Sequence, residues 1–157
     1  GYFFRTLSFI YLNRANGDLA ANNAYNYLRT MGWRDSYSQY MALVWYFGLR
    51  QEKRDDFATQ KMREAIAKVD ATEWPYPVLQ FVNNSIPLPA MLAQATDNDK
   101  LTEAHAYAGL IFSLQGETAV ALDHLRWVET NGNKNFVEYP LALAEIGRLE
   151  HAAAAAK

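Results

Sequence analysis

Three histidines, His105, His124 and His151, are the first residues to weigh for chemistry. None belongs to an HExxH pattern or to a pair with metal-ligand spacing. His105 and His124 fall on opposite helices of one hairpin, where packing histidines are commoner than ligands. Asp55 and Asp56 are adjacent, so on a helix their carboxylates point in different directions and make no catalytic pair. With Lys53 and Arg54 they read as a solvated face. Ser8, Ser36, Ser38, Ser85 and Ser113 lack a nucleophile-elbow context, and no Gly-rich phosphate loop occurs. Asn83-Asn84-Ser85 matches a glycosylation acceptor, a short pattern that names no chemistry of its own. The absence of cysteine removes a disulfide framework, a thiolate zinc site and a cysteine nucleophile together. The sequence therefore predicts no catalytic residue, no cofactor, no metal site and no enzyme.

What remains is binding chemistry, and the elements that would position it are helices. The stretch from Ala104 to Val128 reads as two amphipathic helices joined at Gly116. Ala108, Gly109 and Phe112 share a face of the first; Ala121, Leu125 and Val128 share a face of the second. Gly109 is small where two backbones approach, and Gly116 supplies the turn. Half the residues are hydrophobic and a fifth are charged, which excludes a disordered chain. The net charge of −2, with signs interspersed, speaks against a general nucleic-acid binder. No run of about 18 apolar residues exists to span a membrane directly.

Similar hairpins recur along the chain. Tyr11, Phe47, Phe81 and Phe112 occupy equivalent slots in four successive units, and small residues follow at Ala20 and Ala24, at Ala90, and at Ala121. One domain over residues 1–157 is expected, with units at about 1–34, 35–72, 73–100 and 101–134. Helices are predicted over Gly1–Arg14, Asp18–Met31, Asp35 or Ser36 to Leu49, Lys53–Val69, Pro77–Asn84 and Pro89–Ala95. Asp18, Asp35 or Ser36, and the Asp97-Asn98-Asp99 run are the expected N-caps. A final helix over 135–149 caps the array, and 150–157 is a low-complexity tail.

This spacing resembles the tetratricopeptide repeat (TPR), a two-helix unit of about 34 residues. It implies an all-α fold: a right-handed TPR-like α-solenoid of about four helix pairs plus a C-terminal capping helix. From Trp74 onward the strings WPYPVLQFVNNSI, ATDN, AYAGLIFSLQGETAVALDHL and NFVEYPLALAEI look like a bacterial periplasmic lipoprotein family called new lipoprotein I. Its members are TPR adaptors for cell-wall hydrolases and a periplasmic protease. The resemblance favours the bacterial periplasm over the cytoplasm.

In such a fold the first helix of each unit lines a concave groove. That slot assignment marks Arg5, Phe9 and Asn13, then Met41, Trp45 and Leu49, then Glu103 and Leu110, as the peptide-binding groove. Lys, Asn and Arg would clamp a C-terminal carboxylate there. Only Arg5 and Asn13 match, so an apolar or aromatic peptide groove fits better. The function expected is a non-enzymatic adaptor or scaffold for a protein or peptide partner. A homodimer formed through exposed apolar faces is the alternative.

Overall fold

The computed structural model describes Gly1–Lys157, and every regular element in it is a helix. In order these are α1 (Tyr2–Asn13), α2 (Gly17–Met31), α3 (Ser38–Gln51), α4 (Asp55–Ile66), α5 (Tyr76–Val82), α6 (Leu88–Leu92), α7 (Asn98–Leu114), α8 (Thr118–Asn131) and α9 (Glu138–Ala155). The all-α class and the nine helices match the sequence reading. No helix is long and apolar enough to cross a membrane. The chain divides into two compact units, Gly1–Ser85 and Ile86–Lys157. That boundary falls inside the third sequence repeat and assigns α5 and α6 to different units.

In the first unit α2 packs on both α1 and α3, α3 on α4, and α5 on α3 and α4; α1 also reaches α3. Each helix thus meets its neighbour and, in places, the next but one, as consecutive helices of a repeat do. The N-cap of α2 is Asn16, whose side chain accepts the Leu19 amide at 3.2 Å. This corrects the expectation of Asp18, which sits one residue inside the helix, where its charge suits the positive end of the dipole. Neither Asp35 nor Ser36 caps α3; it starts later, at Ser38, and has no side-chain cap. Gly32, at φ +86°, ends α2 in a conformation that L side chains rarely adopt.

Helix α3 is the core of this unit, and Met41 through Leu49 are all buried. Its sequence YMALVWYFGL is apolar on every side, and a helix without a polar face must be surrounded. Gly48 makes this possible on the α2 side. A Cβ there would lie 2.7 Å from the Gly17 carbonyl oxygen and 2.9 Å from the Ala21 nitrogen.

In the second unit α7 packs on α8, and α9 on both. Asp97 caps α7 as expected, accepting the Lys100 amide at 2.8 Å. Gly116, at φ +77°, turns the chain into α8. Gly109 faces Leu125, whose Cγ and Cδ2 would lie 2.5 Å from an added Cβ. Ala106, Leu125, Val128, Ala142 and Ile146 form the buried cluster where the three helices meet. The Thr102 hydroxyl accepts the Asn133 amide at 2.9 Å and thereby pins the α8–α9 loop to α7. Helix α9 runs through much of the alanine tail, to Ala155, well beyond the predicted end at Leu149.

Candidate binding cleft

The first unit carries a cleft of about 380 Å³, within the size range of ligand sites. Two loops and one helix build it. The α2–α3 loop contributes Trp33, Arg34, Asp35 and Ser36; α3 contributes Gln39 and Tyr40; the α4–α5 loop contributes Asp70, Glu73 and Trp74.

Local hydrogen bonds fix each loop. Asp35 Oδ1 accepts the Tyr37 amide at 3.1 Å and also the Tyr27 hydroxyl. The Tyr27 bond is the main reason the Asp35 carboxyl is held below its ordinary range. Burial, and then that same bond, push the Tyr27 hydroxyl up. Ser38 Oγ donates to the Gly32 carbonyl at 2.7 Å. In the other loop, Asp70 Oδ1 accepts the Thr72 hydroxyl at 2.6 Å and its amide at 2.9 Å, and these bonds lower the Asp70 pKa. Both aspartates are therefore charged at neutral pH.

Gln39 ties the α4–α5 loop to α3 at two points. Its Nε2 donates to the carbonyls of Asp70, at 2.9 Å, and Glu73, at 3.3 Å. Two carbonyl partners require the amide nitrogen on that side, which fixes the orientation of the group. Its Oε1 has no hydrogen-bond partner within the protein, although the residue is only 6% exposed. A buried carbonyl oxygen without a donor carries a desolvation penalty.

An aromatic network continues behind the cleft. Trp33 lies 6.5 Å from Trp45, centroid to centroid, and Trp45 lies 5.3 Å from Tyr25. Cations already sit on this array: Lys68 is 4.8 Å from the Trp33 ring and Lys61 is 5.7 Å from Trp45. On the α1 side the Arg5 guanidinium lies 3.9 Å over Tyr37 and 4.9 Å from Tyr2.

The predicted groove residues separate by accessibility. Arg5, Phe9 and Asn13 are partly exposed on α1. Met41 is 0% exposed, Leu49 is buried with it, and Trp45 retains 7%. Met41 and Leu49 offer no surface to a partner; they support the unit from within, and Met41 Sδ contacts Ser8 Oγ of α1 at 3.6 Å. The physical reason is the all-round apolar character of α3, which leaves it no solvent-facing groove side. In the second unit Glu103 and Leu110 are buried on α7 as well. The cleft residues Gln39, Asp70, Glu73, Trp33 and Trp74 went unmarked in the sequence. The one available signal was a tryptophan beside a chain-breaking residue in each loop, at Gly32-Trp33 and Trp74-Pro75.

The second unit holds one further polar arrangement. The Nδ1 atoms of His105 and His124 lie 2.8 Å apart, so one ring donates and the other accepts. His105 stacks on Trp127 at 4.2 Å, and Phe112 stacks on His124 at 5.5 Å. Burial, helped by the neighbouring His124, lowers the His105 pKa to about 4. Burial also lowers that of His124, against the pull of Asp123. The two rings are thus neutral at pH 7, and no cluster of three His, Cys, Asp or Glu exists to complete a metal site around them. Glu138, at the start of α9, is buried and accepts the Tyr107 hydroxyl at 2.8 Å. Burial raises its pKa, so its neutral form is favoured.

No family model matches the chain, and no curated protein or solved structure does.

Proposed function

We propose that this chain is a non-enzymatic binding module, a tetratricopeptide-type helical repeat that holds a protein or peptide partner against its first unit. The observation that carries the reading is the cleft between the α2–α3 and α4–α5 loops. It is formed in the free chain, with Gln39 of α3 bracing the α4–α5 loop, and is walled by indoles. Preorganised aromatic walls bind with little loss of side-chain freedom, which is why Trp and Tyr recur as anchors at interfaces. Within each unit, the packing of consecutive helices supports the repeat architecture. An adaptor or scaffold role follows, and Arg5, Phe9 and Asn13 supply a further accessible strip on α1.

A photo-reactive side chain at position 73 tests this in a lysate of the source organism, with position 123 on α8 as control. Capture of a defined partner segment from position 73 alone is the expected result. Equal capture from both positions, or none from position 73, overturns the reading.

Self-association is a second reading with an observation of its own. Tyr2, Phe3 and Ile10 expose large apolar surface on α1, Tyr2 to 74%. Sedimentation across a wide concentration range decides it: a dimer lost on changing Phe3→Ser favours self-association through this helix, and a concentration-independent monomer removes it.

A further inference from the structure

The cleft of the first unit has a chemistry more specific than its shape. We infer that it receives a cationic side chain of the bound segment, an arginine guanidinium. This inference rests on the binding-module reading and names the group that the module recognises.

The first argument is charge. Asp35, Asp70 and Glu73 line the cleft against a single guanidinium, Arg34. The excess of negative charge belongs to the lining groups themselves; Lys68, over Trp33, and Arg5, whose charge acts on Asp35, flank them. Asp35 and Asp70 keep their charge because neighbouring donors hold their pKa values down. Glu73 stands exposed at the rim.

The second argument is the wall material. Trp33 and Trp74 both line the cleft, and an indole face attracts cations more strongly than any other side-chain ring. Trp33 already does so within the molecule, through Lys68 at 4.8 Å.

The third argument is independent of charge and of ring chemistry. Gln39 lines the cleft, is almost wholly buried, and has a carbonyl oxygen that no protein donor satisfies. Its amide nitrogen is held by two backbone carbonyls, so the group cannot rotate to offer a donor instead. The lining thus includes one buried acceptor without a donor, and no donor in surplus. A guanidinium brings five N–H donors and no acceptor, a flat face for the indoles and a permanent positive charge. An ammonium shares the charge but lacks the plane, and a neutral urea group keeps the plane but lacks the charge.

The test uses Nα-acetyl-arginine amide as probe, with the citrulline and lysine amides for comparison. The read-out is the indole N–H signals of Trp33 and Trp74 in two-dimensional NMR spectra, with Trp127 of the second unit as internal reference. The expected result is a saturable shift at Trp33 and Trp74 with the arginine amide. The citrulline amide should bind about tenfold more weakly or worse, since it lacks both the cation–π attraction and the charge-assisted bonds. The lysine amide should fall between them. Glu73→Gln should weaken the arginine amide several-fold and leave the melting temperature unchanged, because only the backbone carbonyl of Glu73 is engaged by Gln39. Raising the salt concentration should weaken binding further. Equal affinity for the citrulline amide, or shifts at Trp127 as large as those at Trp33, overturns the inference. So does unchanged affinity in Glu73→Gln. Failure here is distinct from failure of the module: a partner segment captured from position 73 that contains no basic residue sinks the cation and leaves the module standing. Saturable arginine binding with no partner captured at position 73 does the reverse.

Discussion

Replacing Gly48 by alanine tests the packing of the first unit at its tightest point. The added Cβ would lie 2.7 Å from the Gly17 carbonyl oxygen, 2.9 Å from the Ala21 nitrogen and 3.2 Å from the Ala21 Cβ. Two of these three neighbours are backbone atoms of α2. They cannot rotate away as a side chain would, so α2 has to move off α3 as a body. That movement loosens the contacts of a helix buried along its middle turns. Overpacking of this kind costs about 1–3 kcal/mol. Alanine meanwhile gains about 1 kcal/mol of helix propensity over glycine, which offsets part of the loss. The net expectation is a destabilisation of about 0–2 kcal/mol. For a chain of this size that lowers the melting temperature by up to about 8 °C. Gly147, on α9, has no heavy atom within 4 Å of an added Cβ and serves as the control. Gly147→Ala gains the propensity alone, and its melting temperature should rise by about 1–4 °C. Thermal melts followed by circular dichroism compare the two directly. If Gly48→Ala is stabilised as much as Gly147→Ala, the close approach of α2 and α3 is not real and the reasoning fails.

Gly109→Leu should destabilise by about 1–3 kcal/mol, since even its Cβ would overlap Leu125; a denaturant melt within error of the parent contradicts the α7–α8 register. Trp45→Ala should cost about 3–5 kcal/mol, because the indole is 7% exposed and its removal opens a cavity beside Trp33 and Tyr25. Lost partner binding with an unchanged melting temperature would instead make Trp45 an accessible anchor. His105 contributes a pH dependence: burial lowers its pKa to about 4 in the folded chain against 6.5 for an unperturbed imidazole, so the unfolded chain binds the extra proton first. Its contribution is fully present above pH 6.5 and is lost as the pH falls towards 4. The ring is only half-buried, and after discounting for solvent screening the loss is about 1–2 kcal/mol. His105→Phe keeps an aromatic ring against Trp127, and the difference between its stability and the parent's should shrink across that window. Parallel profiles would show that the histidine pair does not titrate as described.

The sequence by itself determined the helices. Spacings of three and four, Asn16-Gly17, the Asp97 cap and Gly116 act within a few residues of chain, so the class, number and order of elements were legible. It also marked Gly109 as a point of close approach, and the apolar run of α3 held the evidence that this helix has no free side. Two details of that local reading moved. Asn16 rather than Asp18 caps α2, because the N-cap carboxamide oxygen accepts the Leu19 amide three residues on while Asp18 is already inside the turn. The slots assigned to a groove at Met41, Trp45 and Leu49 belong to the interior, because burial is decided by what packs against a helix from elsewhere.

Tertiary structure alone decided the cleft. Gln39 meets Asp70 and Glu73 only because the packing of α4 on α3 brings the α4–α5 loop back over α3, and no local pattern records that pairing. The same holds for His105 and His124, whose rings touch across two helices. Local propensity is written in neighbouring residues and can be read from them. A site built from loops on different helices depends on the packing angle and register between those helices, which many weak side-chain contacts set together.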